Sequence, residues 1–287
     1  MKRYSGFGLL LCLVMVSGAT LLAQDAIPPP KVLVVMREFI KPGKSGSLHE
    51  KTESAFVQAM TAAKWPTHYL GMDSMSGASR SLFFVGYGSF ADWEKDNLAT
   101  MKNATLSAAL DRASIADGEL LTGYQSSAFG YREDMSLRAP VNIAQMRYFQ
   151  ILRFKIKPGH LSEWEALVKL YHDGYEKGVP DARWATYEAR FGQESDGLYI
   201  VLIPMKSLAE VDAGFGDAKK FFAALGDDGM KKLADLTGAC VEASEANLFA
   251  FNPKLSYVSG DWVKADPAFW SPKTAAPIKK PAEKPAQ

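Results

Sequence analysis

The sequence is poor in cysteine and histidine, and it lacks the motifs that usually identify an enzyme. Of its 287 residues, two are cysteines and four are histidines. Cys12 lies in an apolar N-terminal stretch that we expect to be removed, so Cys240 is left without an intrachain disulfide partner. A G-x-S-x-G nucleophile elbow, a phosphate-binding P-loop and a G-x-G-x-x-G after a strand are all missing. Stability must come from a hydrophobic core, which a 47% hydrophobic content can supply.

An excess of charge of either sign is also missing. The chain has 33 Lys and Arg against 32 Asp and Glu, and the formal net charge is +1. Binding to nucleic acid depends on neutralising many phosphates with clustered basic residues. The charge balance therefore predicts no nucleic-acid partner.

The N-terminal end is typical of an exported protein. Residues 1–23 begin with Lys2 and Arg3, continue with an apolar run and end in small residues at Ala23, which is the pattern of a secretory signal peptide. The run is short for a membrane span of about 20 residues, so we predict cleavage and no membrane span afterwards; an uncleaved anchor is the alternative. The expected location is periplasmic or extracellular.

The segments on either side of the central part of the chain have the composition of a linker and a solvated tail. Residues 24–30 contain three consecutive prolines and predict a linker. Residues 259–287 end in a stretch rich in proline, lysine and alanine that cannot bury much surface, so we predict a solvated C-terminal tail.

The central part contains the same phrase twice, and this indicates a duplication. "MREFIKPGK" occupies residues 36–44 and "LRFKIKPGH" residues 152–160, so that Lys157 follows Lys41 by 116 positions. Each phrase ends a stretch with strand composition and precedes a stretch with helical periodicity. Both halves then read β-α-β-β-α-β, the order of a ferredoxin-like unit. We predict two such repeats, at residues 31–138 and 145–258.

This order of elements resembles the dimeric α+β barrel superfamily, in particular its NIPSNAP-like members. The resemblance covers about residues 31–258 and depends on the Lys-Pro-Gly that ends each opening strand and on "REDMSLR" and "NPKLSY" after the closing strands. It implies an α+β fold in which the antiparallel sheets of two tandem ferredoxin-like repeats face each other as an intrachain barrel. It also implies activities found in the superfamily, namely cofactor-free oxidation of aromatic compounds and haem chemistry.

Two arginines occupy equivalent positions on the opening strands. Alternation places Arg37 on one face of its strand and Arg153 on the same face of the other, while Ile40 and Ile156 lie on the faces that should meet the helices. The arginines should therefore point into the space between the sheets. There they would bind an anionic or carbonyl-bearing ligand, or they would pair with an acid such as Glu188 or reach solvent.

The histidines give weaker candidates for catalysis. His68 lies on a predicted strand, and His172 lies beside the apolar stripe of a helix, where the resemblance implies a haem ligand. His49 and His160 are expected to be exposed near turns. Because no two histidines have the spacing of a helical zinc pair, we predict no protein-built metal site. Haem is left as an alternative cofactor.

Aromatic residues on the middle strands complete the candidate site. Trp184, Tyr187 and Tyr199 either pack in the core or line a ligand pocket with His68. The sequence thus favours an exported protein that binds a small, largely apolar or carbonyl-bearing or anionic ligand between its sheets. The alternatives are a monooxygenase-like or haem-handling enzyme and a non-catalytic interaction protein of the cell envelope, and further homo-oligomerisation is left open.

Overall fold

The computed structural model describes residues 26–193 and 195–271, which form eight strands, seven α-helices and two short 3-10 helices. The predicted signal peptide and the last part of the predicted tail lie outside these residues. The first repeat consists of β1 (Val32–Ile40), α1 (Ser47–Ala63), β2 (Tyr69–Ser74), β3 (Arg80–Tyr87), α2 (Phe90–Lys102), α3 (Ala104–Gly118) and β4 (Leu121–Leu137). The second consists of β5 (Tyr148–Ile156), α4 (Leu161–Gly178), β6 (Trp184–Gly192), β7 (Leu198–Met205), α5 (Ala209–Cys240) and β8 (Val241–Phe251), followed by α6 (Gly260–Ala265) and α7 (Pro267–Trp270).

The strands of each repeat form a four-stranded antiparallel sheet, and the two sheets join into one closed barrel. The order is β4-β1-β3-β2 in the first repeat and β8-β5-β7-β6 in the second. β2 pairs with β8, with Met72 opposite Phe251, and β4 pairs with β6, with Gly130 opposite Glu188. Full closure leaves no unpaired sheet edge. The predicted α+β class and the intrachain barrel of two ferredoxin-like repeats are confirmed.

The repeated phrase has a common structural cause in both halves. Gly43 and Gly159 have φ angles of 77° and 83°, a backbone conformation that glycine adopts without steric cost, and each turns the chain from its opening strand towards the next helix. The side chains of Lys41 and Lys157 donate to backbone carbonyls at the C-terminal ends of α3 and α5, at 2.8 Å and 2.7 Å. A cation there satisfies carbonyls that lack helical partners.

Alternation along the strands separates two hydrophobic cores. The inward-facing side chains fill the barrel, and Leu33, Val35, Phe129, Phe149 and Phe249 are among them. The outward-facing side chains of the second sheet pack under α4 and α5 in a separate cluster that includes Trp164. Every strand is therefore buried on its inner face by the opposite sheet and, where helices cover it, on its outer face as well.

The C-terminal residues form a cap on one end of the barrel. Trp270, at the end of α7, is 6% exposed, and its indole N–H donates to the carbonyl of Ala144 at 2.8 Å. Arg147 forms an ion pair with Asp266, and its guanidinium lies 3.9 Å from the ring centre of Phe269. Residues 259–271, which composition assigns to the tail, instead belong to the folded domain because their aromatic side chains join the barrel core.

The predicted linker also packs on this end of the barrel. Ile27 pairs through its backbone with Val141 at 3.2 Å and 3.4 Å, and the carbonyl of Pro30 accepts a hydrogen bond from the hydroxyl of Tyr187 at 3.1 Å. Within residues 26–193 and 195–271, no helix is long and apolar enough to cross a bilayer.

Candidate functional site

The capped end of the barrel contains a largely apolar cavity of about 240 Å³. We call it the apolar cavity; its wall includes Leu33, His68, Tyr69, Phe84, Phe149, Trp184, Ala185, Tyr187, Leu202 and Trp262. These residues come from the barrel strands, the loop before β2 and the cap. Both sheets thus contribute to the wall, as predicted for a site between the two repeats.

His68 contributes an imidazole ring to the wall of the apolar cavity. Its ring stacks on that of Tyr257, with centroids 4.8 Å apart and planes 18° apart. The hydroxyl of Tyr257 donates to the carbonyl of Trp65 at 2.8 Å, which fixes the ring that supports His68. Burial lowers the pKa of His68 below its ordinary value, although a backbone hydrogen bond at Pro66 partly opposes the shift. The imidazole is therefore neutral at pH 7.

The polar atoms of the two predicted aromatic residues in the wall are already satisfied by the backbone. Trp184 donates its indole N–H to the carbonyl of Met135 at 2.9 Å, and Tyr187 donates its hydroxyl to the carbonyl of Pro30 at 3.1 Å. Burial raises the pKa of Tyr187 well above its ordinary value, so the phenol is uncharged. The Tyr187 ring therefore presents apolar surface to the cavity, whereas the Trp184 ring packs against Tyr175 of α4, with centroids 5.5 Å apart.

The opposite end of the barrel contains a second cavity, of about 320 Å³, with a polar wall. We call it the polar cavity; its charged and amide groups are Arg37, Arg80, Arg153, Glu245, Asn247, Gln125 and Gln193. Arg80 pairs with Glu245 at 3.2 Å, and Arg153 lies opposite Glu245 on the neighbouring strand. Burial alone would raise the pKa of Glu245, but Asn247 and the two arginines outweigh it and lower the pKa.

Arg37 and Arg153 point into the barrel, as alternation predicts, but the structural partner proposed for them is wrong. Arg37 donates to the hydroxyl of Ser127 at 3.2 Å and lies 5.8 Å from the ring centre of Phe129. Glu188 instead lies on the outer face of the barrel, where it pairs with Arg132 at 3.0 Å. The alternation of β6, which turns Tyr187 inward, necessarily turns Glu188 outward.

The residues predicted to share one ligand site are thus divided between two ends of the barrel. Arg37 and Arg153 line the polar cavity, whereas His68, Trp184 and Tyr187 line the apolar cavity. Phe84 contributes to both walls, and its ring lies 6.0 Å from that of Phe149. Packed aromatic side chains in the middle of the barrel therefore separate the two cavities.

Tyr199 and His172 lie away from both cavities. Tyr199 faces outward from β7 and packs against Trp164 of α4, with ring centroids 5.1 Å apart. His172 lies on α4 with its side chain 35% exposed, near Asp173. Since alternation alone did not establish which face of β7 is inward, the sequence could not distinguish the role of Tyr199 from that of Tyr187.

The structure contradicts the exposure predicted for His49. This residue of α1 is 2% exposed and lies beneath the helix against Glu38 of β1, at 3.1 Å between Nε2 and Oε2. His160, in contrast, is 41% exposed at the start of α4, as expected. His49 was placed near a turn by its position in sequence, but the first turn of α1 presents it to the sheet.

The side chains and the volume of the apolar cavity indicate whether a haem group would fit in it. His68 is a neutral imidazole in an apolar wall, which is the form that binds iron. The cavity volume of about 240 Å³ is below the range of about 300–1,000 Å³ that is typical of sites for drug-sized ligands. His172 lies elsewhere and adds no second ligand. The cavity fits a compact apolar molecule better than a porphyrin, and haem stays an untested prediction.

Comparison with known proteins adds no family assignment. No protein-family model matches the sequence, and no curated protein matches it. Among solved structures, an anthrone oxidase-like protein is 16% identical, with 77% of this chain and 92% of that chain covered and a TM-score of 0.49. A proposed monooxygenase from Lactobacillus acidophilus NCFM is 6% identical, with coverage of 77% and 93% and a TM-score of 0.45.

A variant of the chlorite dismutase from Candidatus Nitrospira defluvii is also similar. It is 11% identical, with 84% of this chain and 97% of that chain covered and a TM-score of 0.45. The similarity of these three structures to this chain concerns the fold alone, and the strand pairing described above is that of a closed α+β barrel made of two antiparallel sheets. The narrower NIPSNAP-like resemblance stays a prediction.

Proposed function

We propose that this protein binds a small, largely apolar molecule in the apolar cavity. The observation that carries the proposal is a cavity of about 240 Å³ at the end of a closed barrel, with a largely apolar wall whose polar side chains include His68 and Arg183. Water in such a space finds few hydrogen-bond partners, so an apolar ligand gains the free energy of leaving water without displacing well-bound solvent. The hydroxyl of Tyr187 adds to this preference because it already donates to the carbonyl of Pro30 and needs no hydrogen bond from the ligand.

Filling the cavity should abolish this binding. Ala185 faces the apolar cavity from β6, and the substitution Ala185→Trp would place an indole ring in it. We expect the affinity for a neutral fluorescent probe, N-phenyl-1-naphthylamine, to fall at least about tenfold, since losing the burial of two methylene-sized groups costs about 1.6 kcal/mol. The measurement is a fluorescence titration.

A matched control separates this effect from a general effect of tryptophan. Ala108 is exposed on α3, and Ala108→Trp should leave probe binding unchanged. Equal binding by Ala185→Trp and the wild type would contradict the proposal. If the anionic probe 1-anilinonaphthalene-8-sulfonate alone bound, and the double variant Arg37→Met/Arg153→Met abolished its binding, the ligand would belong to the polar cavity. Failure of every probe would favour the interaction protein of the cell envelope.

Binding should respond to pH through His68. Because burial lowers the pKa of His68, its neutral form persists from pH 8 down to below the ordinary value of about 6.5. A bound apolar ligand removes more water from the ring and disfavours its charged form further. We therefore expect constant affinity from pH 8 to 6.5 and weaker binding at lower pH. His68→Phe should make the titration independent of pH in this range; a decline that persisted in this variant would assign it to another group.

The neutral state of His68 also favours a second candidate, a monooxygenase-like enzyme without a cofactor. A neutral imidazole in the wall could accept a proton from the phenolic O–H or an acidic C–H of a bound aromatic molecule, and the resulting anion is electron-rich enough to react with dioxygen. Oxygen consumption with a panel of hydroxyaromatic compounds tests this candidate. No consumption at concentrations that displace the probe would leave binding as the function.

On the basis of the sequence, the proposal includes export to the periplasm or the cell exterior. It also includes further self-association. A small apolar ligand is consistent with either compartment. Native mass spectrometry of the protein purified from its own cells would report the processed N-terminus, the number of subunits and any ligand mass together.

A further inference from the structure

The helical layer of the first repeat contains a buried cluster of ionisable side chains. Its members are Glu38 on β1, His49 and Glu53 on α1, and Asp117 at the end of α3, and we call it the Glu-His-Asp cluster. None of the four is more than 8% exposed. It lies on the outer face of the sheet and is therefore separate from both cavities of the barrel.

The four side chains converge on one point. Nε2 of His49 lies 3.1 Å from Oε2 of Glu38, 3.5 Å from Oδ1 of Asp117 and 4.0 Å from Oε1 of Glu53. One oxygen or nitrogen from each residue lies within 4.8 Å of all the others. Ligands about 2.0–2.2 Å from a common metal ion are separated by roughly 3–4 Å. The spacing of the cluster is close to that of a ligand set around one ion.

The cluster is short of positive charge and of hydrogen-bond donors. Oε1 of Glu53 is fully buried and has no hydrogen-bond partner among the residues that the structure describes, and the same holds for the hydroxyl of Tyr69. Three carboxyl groups around one imidazole are costly to bury unless a further cation compensates them.

The second repeat shows that the fold does not need this cluster. The equivalents of Glu38, His49 and Glu53, by the alignment of the two phrases and the helices that follow them, are Phe154, Trp164 and Val168. These three pack together, and the rings of Phe154 and Trp164 lie 5.2 Å apart. The same position between sheet and helix is therefore apolar in one repeat and ionic in the other. An apolar core would be sufficient for stability, so the ionic version requires another explanation.

We propose that Glu38, His49, Glu53 and Asp117 bind one divalent first-row transition-metal ion. An imidazole nitrogen with carboxylate oxygens suits Mn²⁺, Fe²⁺ or Zn²⁺, whereas Mg²⁺ and Ca²⁺ prefer oxygen ligands alone. The hydroxyl of Thr52 contacts Oδ1 of Asp117 at 2.6 Å and would orient that ligand from outside the coordination sphere. The ion would link β1, α1 and α3, and its burial indicates a structural role rather than a catalytic one.

The test is a metal titration of the complete exported chain, purified without a polyhistidine tag and stripped with a chelator. Because the cluster is buried, the protein is refolded from urea with Zn²⁺, Mn²⁺, Mg²⁺ or Ca²⁺ and passed through a desalting column. We expect one equivalent of Zn²⁺ or Mn²⁺ to be retained and the melting temperature to rise, with no such effect of Mg²⁺ or Ca²⁺. Retention of Mg²⁺ or Ca²⁺ to the same extent would overturn the assignment to a transition metal.

Glu53→Gln keeps the shape of the side chain and removes one ligand charge. We expect this variant to lose at least about 100-fold in metal affinity, since even changes to the outer partners of metal ligands cost about 10–100-fold. The stripped variant should melt no lower than the stripped wild type, which shows that it folds. Glu50→Gln on the same helix, where Glu50 pairs with Lys254 at the surface, is the control and should bind the ion as the wild type does.

Two results would overturn the site. One is a stripped wild type that retains no transition metal after refolding and does not change its melting temperature. The other is equal retention by the wild type and Glu53→Gln, which would assign the ion to an unrelated surface position.

Discussion

Trp270→Ala should lower the free energy of unfolding by about 3–5 kcal/mol, which is the usual cost of truncating a buried tryptophan. The side chain is 6% exposed and packs against Trp262 and Phe269 of the cap, with ring centroids 5.3 Å and 4.8 Å away. It also reaches Phe251 of β8, at 6.5 Å. Its loss leaves a space that the rigid barrel end cannot close. Urea denaturation measures the change in the free energy of unfolding, provided that the variant has the same m value as the wild type.

A second variant at this position separates packing from hydrogen bonding. Trp270→Phe keeps most of the apolar volume but leaves the carbonyl of Ala144 without the donor it has at 2.8 Å. We expect a smaller cost of about 1–3 kcal/mol, the desolvation penalty of one unsatisfied buried group. If Trp270→Ala were within about 0.5 kcal/mol of the wild type, the usual range of surface substitutions, the cap would not be part of the core.

Phe221→Ala should have a similar effect of about 3–5 kcal/mol in the helical layer of the second repeat. Phe221 of α5 is 2% exposed and stacks on Tyr171 and Tyr175 of α4, with ring centroids at 5.3 Å and 4.5 Å. Its ring lies on Gly174, where an added Cβ would approach it to 2.6 Å. Phe221 thus occupies the space between α4 and α5 that the missing side chain of Gly174 leaves open. Urea or thermal unfolding reports the loss.

The neighbouring residue is a matched control. Phe222 is 47% exposed on the same turn of α5, so Phe222→Ala removes the same side chain from the same helix with a much smaller loss of buried area. We expect a loss of about 1 kcal/mol or less. Equal losses on the two substitutions would contradict the prediction, because they would show that the packing of Phe221 between the helices does not set the stability of α5.

The two repeats use different chemistry to attach their helices. In the second repeat aromatic rings fill the contact between α4 and α5 and between α4 and the sheet. In the first repeat the contact between α1, α3 and β1 contains Glu38, His49, Glu53 and Asp117. The stability of the second repeat should therefore depend on apolar burial, and that of the first on whatever compensates the buried carboxyl groups.

Much of the fold could be predicted because the signals are local. The Lys-Pro-Gly phrases mark the end of β1 and β5, since the turn needs a glycine with positive φ and a lysine that reaches the end of a helix. Alternation on the same strands is enough to turn Arg37 and Arg153 inward. The predicted start of the tail was wrong, because the composition of residues 259–287 is dominated by the lysine-rich end of the chain. Trp262 and Trp270 are signals of a buried segment.

The Glu-His-Asp cluster was harder to predict than the fold because it depends on contacts between residues that are distant in the sequence. His49 and Glu53 have helical i, i+4 spacing, and Glu38 is a charged residue on a strand face predicted to meet helices. These two signals were present in the sequence, but Asp117 lies 68 positions after His49 and enters the cluster only through the packing of α3 on α1. The spacing of paired histidines on a helix indicates zinc sites, but it does not detect a single histidine surrounded by acids.

By itself, the sequence determined the duplication, the order of strands and helices in each repeat and the direction of the side chains on the opening strands. These properties follow from periodicity and turn chemistry over a few residues. The tertiary structure alone decided how the sheets close, through the pairs β2–β8 and β4–β6. That register sets which ends of the strands meet, and it therefore divides one predicted ligand site into an apolar cavity at the capped end and a polar cavity at the other.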